Sequence, residues 1–188
     1  MKLIILVFTL ISITASCSDN QFLFCDNVNT YSLCAKNEYA MAVTTLPICC
    51  VDIFVYNPTT QKYFMVMRKQ KPAQHEWWYP GGRLFKGESF FACAQRKCLQ
   101  ECGLNVLPQK ILSVYSTIFP DSEWDCQTHT VNIAVFAVLV DNHDGHEQLD
   151  DNHDQYDWID LNTQPTNPYL HDIYLHATQF IANTFEKN

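Results

Sequence analysis

The pattern of apolar and polar residues along the chain predicts strands separated by polar turns. Runs rich in β-branched and aromatic residues are typical of strands, and turn formers such as those around Pro58 bound them. The predicted strands are residues 48–57, 63–69, a short strand ending at Pro80, 111–119, 129–140 and 156–161.

Two segments have the composition and spacing of helices. Residues 89–102 contain no Gly or Pro, and Gly103 follows at the position of a C-cap. A second helix, at about 168–186, opens after Asn167 with Pro168 in its first turn, and its apolar residues fall at helical spacing. The resulting order, β-β-β-α-β-β-β-α, predicts one mixed α/β domain.

The first 17 residues, MKLIILVFTLISITASC, have a basic start, an apolar run and small residues at its end. That form is typical of a cleavable signal peptide, and the run from Leu3 to Ile13 is short for a membrane span. An uncleaved anchor or a buried strand is the alternative. We therefore expect a secreted protein, or one in the lumen of the secretory pathway, without a stable membrane span after cleavage. Residues 18–45 are predicted to be an N-terminal extension, and residues 46–188 the domain.

Charge is distributed unevenly in this chain of 188 residues. Its net charge of −8 argues against broad nucleic-acid binding. Nine of the twelve Lys and Arg lie between Lys62 and Lys110. A basic centre in an acidic chain favours a local anionic ligand such as a phosphate, although chance clustering of surface charges is an alternative. The nine cysteines include no CxxC pair, which argues against structural zinc. Cys25 and Cys34 bracket a polar loop and could pair in an oxidising compartment.

The central motif is a spaced set of glycine, acidic and basic residues. It runs Gly82, five residues, Glu88, seven residues, Arg96, four residues, Glu101, one residue, Gly103 and Leu104. This pattern resembles the box of the Nudix hydrolases, G-x5-E-x7-R-E-U-x-E-E-x-G-U, where U is bulky and aliphatic. Two carboxylates of that box are replaced here, by Lys97 and Gln100. Positions 97, 100 and 101 share one helix face, so only Glu101 remains there as an anionic ligand.

The flanking residues WWYPGGR, KGE and HDQYDW look like the GDP-mannose mannosyl hydrolase branch of that family. The resemblance implies a single Nudix-type α/β/α sandwich with a mixed β-sheet. It also implies Mg²⁺-dependent hydrolysis of GDP-mannose or GDP-glucose at the anomeric carbon, which releases GDP and free sugar. The implied partners are a nucleotide-sugar substrate and a second copy in a homodimer.

The same resemblance implies a metal site. The backbone carbonyl of Gly81, the carboxylate of Glu101 and the side chain of Asn152 would hold Mg²⁺, with Mn²⁺ as the alternative. The family has Gln where this chain has the shorter Asn152. One carboxylate is consistent with a single Mg²⁺, which often binds through few carboxylates together with substrate phosphates.

Catalytic and substrate-binding roles are carried over in the same way. His153 would be the general base, and histidine suits proton transfer near neutral pH. Asp52 matches an acidic residue near the leaving group and sugar. Arg68 would have catalytic and substrate-binding roles, and Arg83 and Arg96 would face the diphosphate or sugar, since guanidinium forks suit phosphate.

Each assignment has a structural alternative. His153 could be a solvated histidine, or could form a separate metal site with His143 and His146. Arg96 could pair with Glu88. Lys97 could be an exposed helix residue or could contact a phosphate. The aromatic residues 77–79 could belong to the core or could stack on guanine.

Two other functions stay open at this point. One is a Nudix pyrophosphatase that attacks phosphorus in a nucleoside diphosphate derivative. The other is a catalytically inactive module that binds a nucleotide sugar or a protein, which Lys97, Gln100 and Asn152 make a live alternative.

Overall fold

A computed structural model describes residues 36–121, 126–140 and 147–185. Helices α1, α2 and α3 comprise Lys36–Thr45, Phe90–Cys102 and Pro168–Thr184. Strands β1 to β7 comprise Ile48–Asn57, Lys62–Arg68, Trp77–Trp78, Gly81–Arg83, Val106–Phe119, Thr128–Leu139 and His153–Asp160. The predicted signal peptide, Cys25, Cys34, His143 and His146 lie outside the described residues.

The strands form one mixed sheet with the order β3-β2-β1-β6-β5. Strand β1 pairs parallel with β6 from Ile48 to Tyr56 and antiparallel with β2 and β4, while β7 pairs antiparallel with β2. Strand β1 is buried from Val51 to Tyr56 because it lies at the centre and is covered on both faces.

Two hydrophobic cores lie on opposite faces of the sheet. On one face α2 packs through Cys93, Ala94, Cys98 and Cys102. On the other, α3 packs through Leu170, Ile173, Tyr174, Ala177 and Ile181. Alternate residues of β1 enter each core, Val51 and Ile53 on the α2 side and Phe54 and Tyr56 on the α3 side. The predicted α/β/α sandwich with a mixed sheet is therefore confirmed.

Both predicted helices lie where they were expected, within two residues at each end, and Ser89, predicted as the first residue of α2, is its N-cap. Ser89 caps α2 by accepting a hydrogen bond from the backbone N–H of Ala92 at 3.1 Å, and Gly103 ends the helix in the left-handed region at φ 69°. Asn167 caps α3, with Pro168 in the first turn.

Other boundaries differ from the prediction. Strand β5 begins at Val106, before an irregularity in pairing at Pro108, which has no N–H to donate. Helix α1 lies within the predicted N-terminal extension, and β4 was not predicted as a strand. Within the part of the chain that the structure describes, no helix has the length and apolar character needed to cross a membrane.

Candidate active site

A cavity of about 260 Å³ opens where the first residues of β7 and the end of α2 meet β1 and β4. Eight of the residues predicted from the sequence for the site line this cavity: Asp52, Arg68, Gly81, Gly82, Arg83, Glu101, Asn152 and His153. Residues up to 101 positions apart in the chain therefore converge on one concave surface, although their individual roles stay predictions.

Gly81 brings β4 against β1 at the floor of the cavity. It pairs with Asp52, and a Cβ at this position would lie 2.2 Å from the carbonyl oxygen of Val51. A side chain there would collide with backbone, so only glycine fits. The Gly81 N–H donates to Glu101 Oε2 at 3.1 Å, which fixes the carboxylate relative to the strand.

The carboxylate of Glu101 is buried, 5% exposed, and its other oxygen is also engaged. Lys97 Nζ lies 2.6 Å from Glu101 Oε1, one helical turn apart on α2. The lysine stem crosses Gly82, where a Cβ would lie 2.7 Å from Lys97 Cε. The Lys97 side chain is only 19% exposed and lines the cavity, so it is not the freely exposed helix residue of the structural alternative.

At the start of β7, Asp150 holds two of the predicted residues. Its Oδ1 lies 2.7 Å from His153 Nδ1, and its Oδ2 accepts from Asn152 Nδ2 at 2.7 Å. His153 is paired with Arg68 across a register shift between Met67 and Arg68. This bulge puts His153 opposite Arg68 and omits Asp154 from the pairing. The histidine side chain is 6% exposed and lines the cavity, so it is not the solvated histidine of the alternative interpretation.

Asp52 is the centre of a buried hydrogen-bond network. Trp78 Nε1 donates to its Oδ1 at 3.4 Å, and Asn132 Nδ2 donates to its Oδ2 at 2.7 Å. The hydroxyl of Tyr169 donates to the same oxygen. Burial raises the pKa of Asp52 above its ordinary value, and hydrogen bonds from Tyr169, Asn132 and Trp78 partly oppose that rise.

Two arginines contribute positive charge to the cavity wall. Arg68 Nε donates to the carbonyl of Pro72 at 2.6 Å, and the guanidinium carbon of Arg83 lies 3.7 Å from the centroid of the Tyr39 ring. Tyr39 belongs to α1, so the segment predicted to be a mere extension contributes a wall of the cavity.

Arg96 does not line the cavity, which corrects its predicted contact with substrate. Its Nε lies 2.6 Å from Glu88 Oε1, and its Nη2 lies 2.8 Å from Oε2 and 3.0 Å from the carbonyl of Arg83. The guanidinium therefore ties the loop before α2 to the helix. The structural alternative, a pair with Glu88, is confirmed.

The aromatic residues before the glycines belong mainly to the core. Trp78 and Tyr79 are 5% and 1% exposed, and the Trp78 ring stacks on Tyr169 with centroids 5.4 Å apart. Trp78 also lines the cavity, but its ring already stacks on Tyr169, so the core interpretation is confirmed for both residues.

The thiol of Cys50, which sequence reasoning did not single out, also lines the cavity. Burial, and then the charge of Asp52, raise the pKa of its thiol to about 12. A thiol with so high a pKa holds its proton at neutral pH, so we assign Cys50 no nucleophilic role.

Sequence reasoning missed Asp150, Asn132, Tyr169 and Tyr39. Asp150 is one of several acids in an acidic run, with nothing in its spacing to distinguish it. Asn132 and Tyr169 reach Asp52 from 80 and 117 positions away, so no local motif marks them.

Comparison with known proteins identifies a family match over most of the chain. Residues 49–176 match the model of the NUDIX domain. The low-salt glycan biosynthesis protein Agl8 of Haloferax volcanii is 25% identical over 87 residues, which cover 46% of this chain and 54% of that protein. The match thus spans about half the length of this curated relative.

Solved structures share the fold at low identity. The MutT protein of Methanosarcina mazei matches with a TM-score of 0.56 and 18% identity, over 71% of this chain and 95% of that one. The NUDIX domain of NrtR from Shewanella oneidensis, solved with ADP ribose, matches with a TM-score of 0.56 and 15% identity, over 79% of this chain and 99% of that one. An Ap4A hydrolase of C. elegans matches with a TM-score of 0.54 and 15% identity, over 72% of this chain and 98% of that one.

Proposed function

Because this chain belongs to the Nudix domain family, whose hydrolases act on nucleoside diphosphate derivatives, we propose that it hydrolyses a GDP-sugar. The proposed substrates are GDP-mannose and GDP-glucose, and the products are GDP and free sugar. Water would attack the anomeric carbon rather than phosphorus.

The observation that supports attack at carbon is the pairing of His153 with Asp150 beside the cavity. The only α2 carboxylate on the cavity wall, Glu101, is in contact with Lys97 and the Gly81 N–H. It is therefore poorly placed to activate a water molecule at phosphorus. His153 is held through Nδ1, which leaves Nε2 to accept a proton from water.

Nudix hydrolases generally use a divalent metal such as Mg²⁺. The sequence predicted Mg²⁺ or Mn²⁺ on Gly81, Glu101 and Asn152. In the arrangement described, these donors do not fit a divalent cation, because the ammonium group of Lys97 already contacts the one carboxylate. No step of the proposed reaction is therefore routed through a metal.

The proposed reaction is a single displacement. His153 takes a proton from water as the water oxygen forms a bond to the anomeric carbon. The bond from that carbon to the phosphate oxygen breaks, and GDP leaves with the electron pair. Arg68 and Arg83 neutralise the charge that develops on the departing diphosphate, for which guanidinium donors are well suited. Attack opposite the leaving group inverts the anomeric configuration.

Two further features of the chain are consistent with this proposal. The similar protein of Haloferax volcanii is named as a glycan biosynthesis protein, and a GDP-sugar is a sugar donor. Residues 1–17 support a location in the secretory lumen or outside the cell, and a homodimer is part of the same proposal.

The test is hydrolysis of GDP-mannose and GDP-glucose in ¹⁸O-water, with the position of the label read by mass spectrometry. We expect ¹⁸O in the free sugar and none in GDP. Label in a phosphate would instead show a pyrophosphatase. Absence of turnover with these and other nucleotide sugars would favour a binding module.

A further inference from the structure

The ammonium group of Lys97 is held by an ion pair with Glu101 and lies in space that the absence of a side chain at Gly82 leaves open. It lies 2.6 Å from Glu101 Oε1, and its stem occupies the space that a Cβ on Gly82 would fill, 2.8 Å from Nζ. Gly82 has φ 151°, a conformation that other residues rarely adopt. The carboxylate of Glu101 therefore pairs with the ammonium group, and Gly82 leaves room for the side chain of Lys97.

We propose that Lys97 acts as a built-in cation in place of a divalent metal, so that this protein binds a diphosphate without Mg²⁺. The proposal rests on the proposed function only for the class of ligand, a nucleoside diphosphate.

The charges around Lys97 favour an anion in the cavity. Arg68, Lys71 and Arg83 line the same cavity, against the two carboxylates Asp52 and Glu101. A lysine ammonium has three donors, and the contact with Glu101 uses one of them. The others remain for phosphate oxygens, for which lysine is a common point-charge ligand.

The arrangement of α2 disfavours a divalent cation in the same place. A metal on Glu101 would have to displace Lys97 and then lie beside its positive charge. Gln100, which replaces a box carboxylate, is exposed and accepts a hydrogen bond from Arg96 Nη1 at 3.2 Å. Among the described residues, no group of three or more His, Cys, Asp or Glu side chains forms a metal site.

The first experiment uses the unaltered protein. Calorimetric titration with GDP, and separately with inorganic pyrophosphate, is carried out in EDTA and in excess MgCl₂. We expect the Kd for each ligand to differ by less than about fivefold between the two conditions. A Kd that is weaker in EDTA by more than about fivefold would overturn the proposal.

The second experiment restores a box carboxylate with K97E. We expect this variant to lose GDP affinity in EDTA by about tenfold or more and to regain it with Mg²⁺. Electron paramagnetic resonance of Mn²⁺ gives a readout without ligand, because K97E should bind Mn²⁺ where the unaltered protein leaves it free. Metal-independent binding of GDP by K97E at unchanged affinity would contradict the role of Lys97.

The matched control is K110E, the same charge change on β5, outside the residues that line the cavity. It should bind GDP as the unaltered protein does. Thermal unfolding shows whether K97E is folded, and if it is not, the titration of the unaltered protein decides the question.

The two proposals fail separately. Metal-independent binding of GDP without release of sugar would overturn the hydrolysis and support the role of Lys97. Turnover of GDP-mannose that depends on Mg²⁺, with diphosphate binding lost in EDTA, would overturn the role of Lys97 and support the hydrolysis.

Discussion

At the scale of single residues, His153 gains its direction from a neighbour. Asp150 contacts Nδ1 of the ring at 2.7 Å and also binds Asn152 through both its backbone N–H and its side chain. The acid therefore orients the imidazole and shapes the loop that carries it. This pairing resembles the general arrangement in which a carboxylate fixes the orientation of a catalytic histidine.

We predict that H153Q lowers kcat for GDP-sugar hydrolysis by about 100- to 10,000-fold, the usual contribution of a general base. Glutamine cannot take a proton from water but keeps a polar group of similar size, so the Kd for GDP should change little. Steady-state kinetics and calorimetry measure the two quantities. The control is H176Q, since His176 is 46% exposed on α3 and does not line the cavity. An unchanged kcat in H153Q would remove His153 from the mechanism.

At the scale of elements, the buried pair between Glu88 and Arg96 holds β4 and α2 in place around the cavity. The side chain of Glu88 is fully enclosed, and that of Arg96 is 14% exposed. Burial raises the pKa of Glu88, but hydrogen bonds from Arg96 and from the Phe85 N–H outweigh it, so the pKa lies below its ordinary value. A carboxyl with a depressed pKa stabilises the fold above its unfolded pKa and loses that effect as the pH falls.

We predict that E88Q lowers the free energy of unfolding by about 3 kcal/mol at pH 7, because it leaves a buried guanidinium without its counter-charge. The deficit relative to the unaltered protein should shrink below about pH 4, as Glu88 of the latter becomes protonated. Urea unfolding at several pH values measures both effects. E76Q, at an exposed position, is the control. A deficit independent of pH would contradict the assigned charge.

Some elements were predictable and others were not, for physical reasons. Helix α2 was predicted with its C-cap, because Gly103 and the absence of Gly and Pro from residues 89–102 are local signals, whereas the N-cap role of Ser89 was not predicted. Strand β4 consists of Gly81, Gly82 and Arg83, which have no strand propensity, and pairing with β1 creates it. In α1 the apolar residues do not concentrate on one face, so its pattern gave no helical signal.

The site shows the same division. The spacing of Gly82, Glu101 and Gly103 predicted where the cavity lies, since a box motif is local. The contacts of Lys97 with Glu101 and Gly82 needed the fold, because a strand and a helix must first be brought together. The sequence therefore identified which carboxylates were missing, and the structure shows what occupies the space beside the one that remains.

At the scale of the whole molecule, the cavity is a basic region in a chain of net charge −8. Four cationic side chains line it: Arg68, Lys71, Arg83 and Lys97. A concave basic surface attracts anions over a distance that salt shortens, from about 10 Å at 0.1 M to about 3 Å at 1 M ionic strength.

We predict that the Kd for GDP rises by about tenfold between 0.1 M and 1 M NaCl, because salt screens the attraction of these cations for the diphosphate. Guanosine, which carries no phosphate, is the matched ligand and should bind with little salt dependence. Calorimetry measures both. A Kd for GDP that is as insensitive to salt as that for guanosine would show that the cavity cations do not hold the diphosphate.

The contact between Lys97 and Glu101 also has an evolutionary consequence. Lysine and glutamate codons differ only at their first base, so one nucleotide change replaces the ammonium group at position 97 with a carboxylate. Codons for glutamine and glutamate at position 100 are separated by a first-base change as well. Gain or loss of a metal requirement would thus need only one or two nucleotide changes. Natural variation at these two codons would record which direction selection has taken.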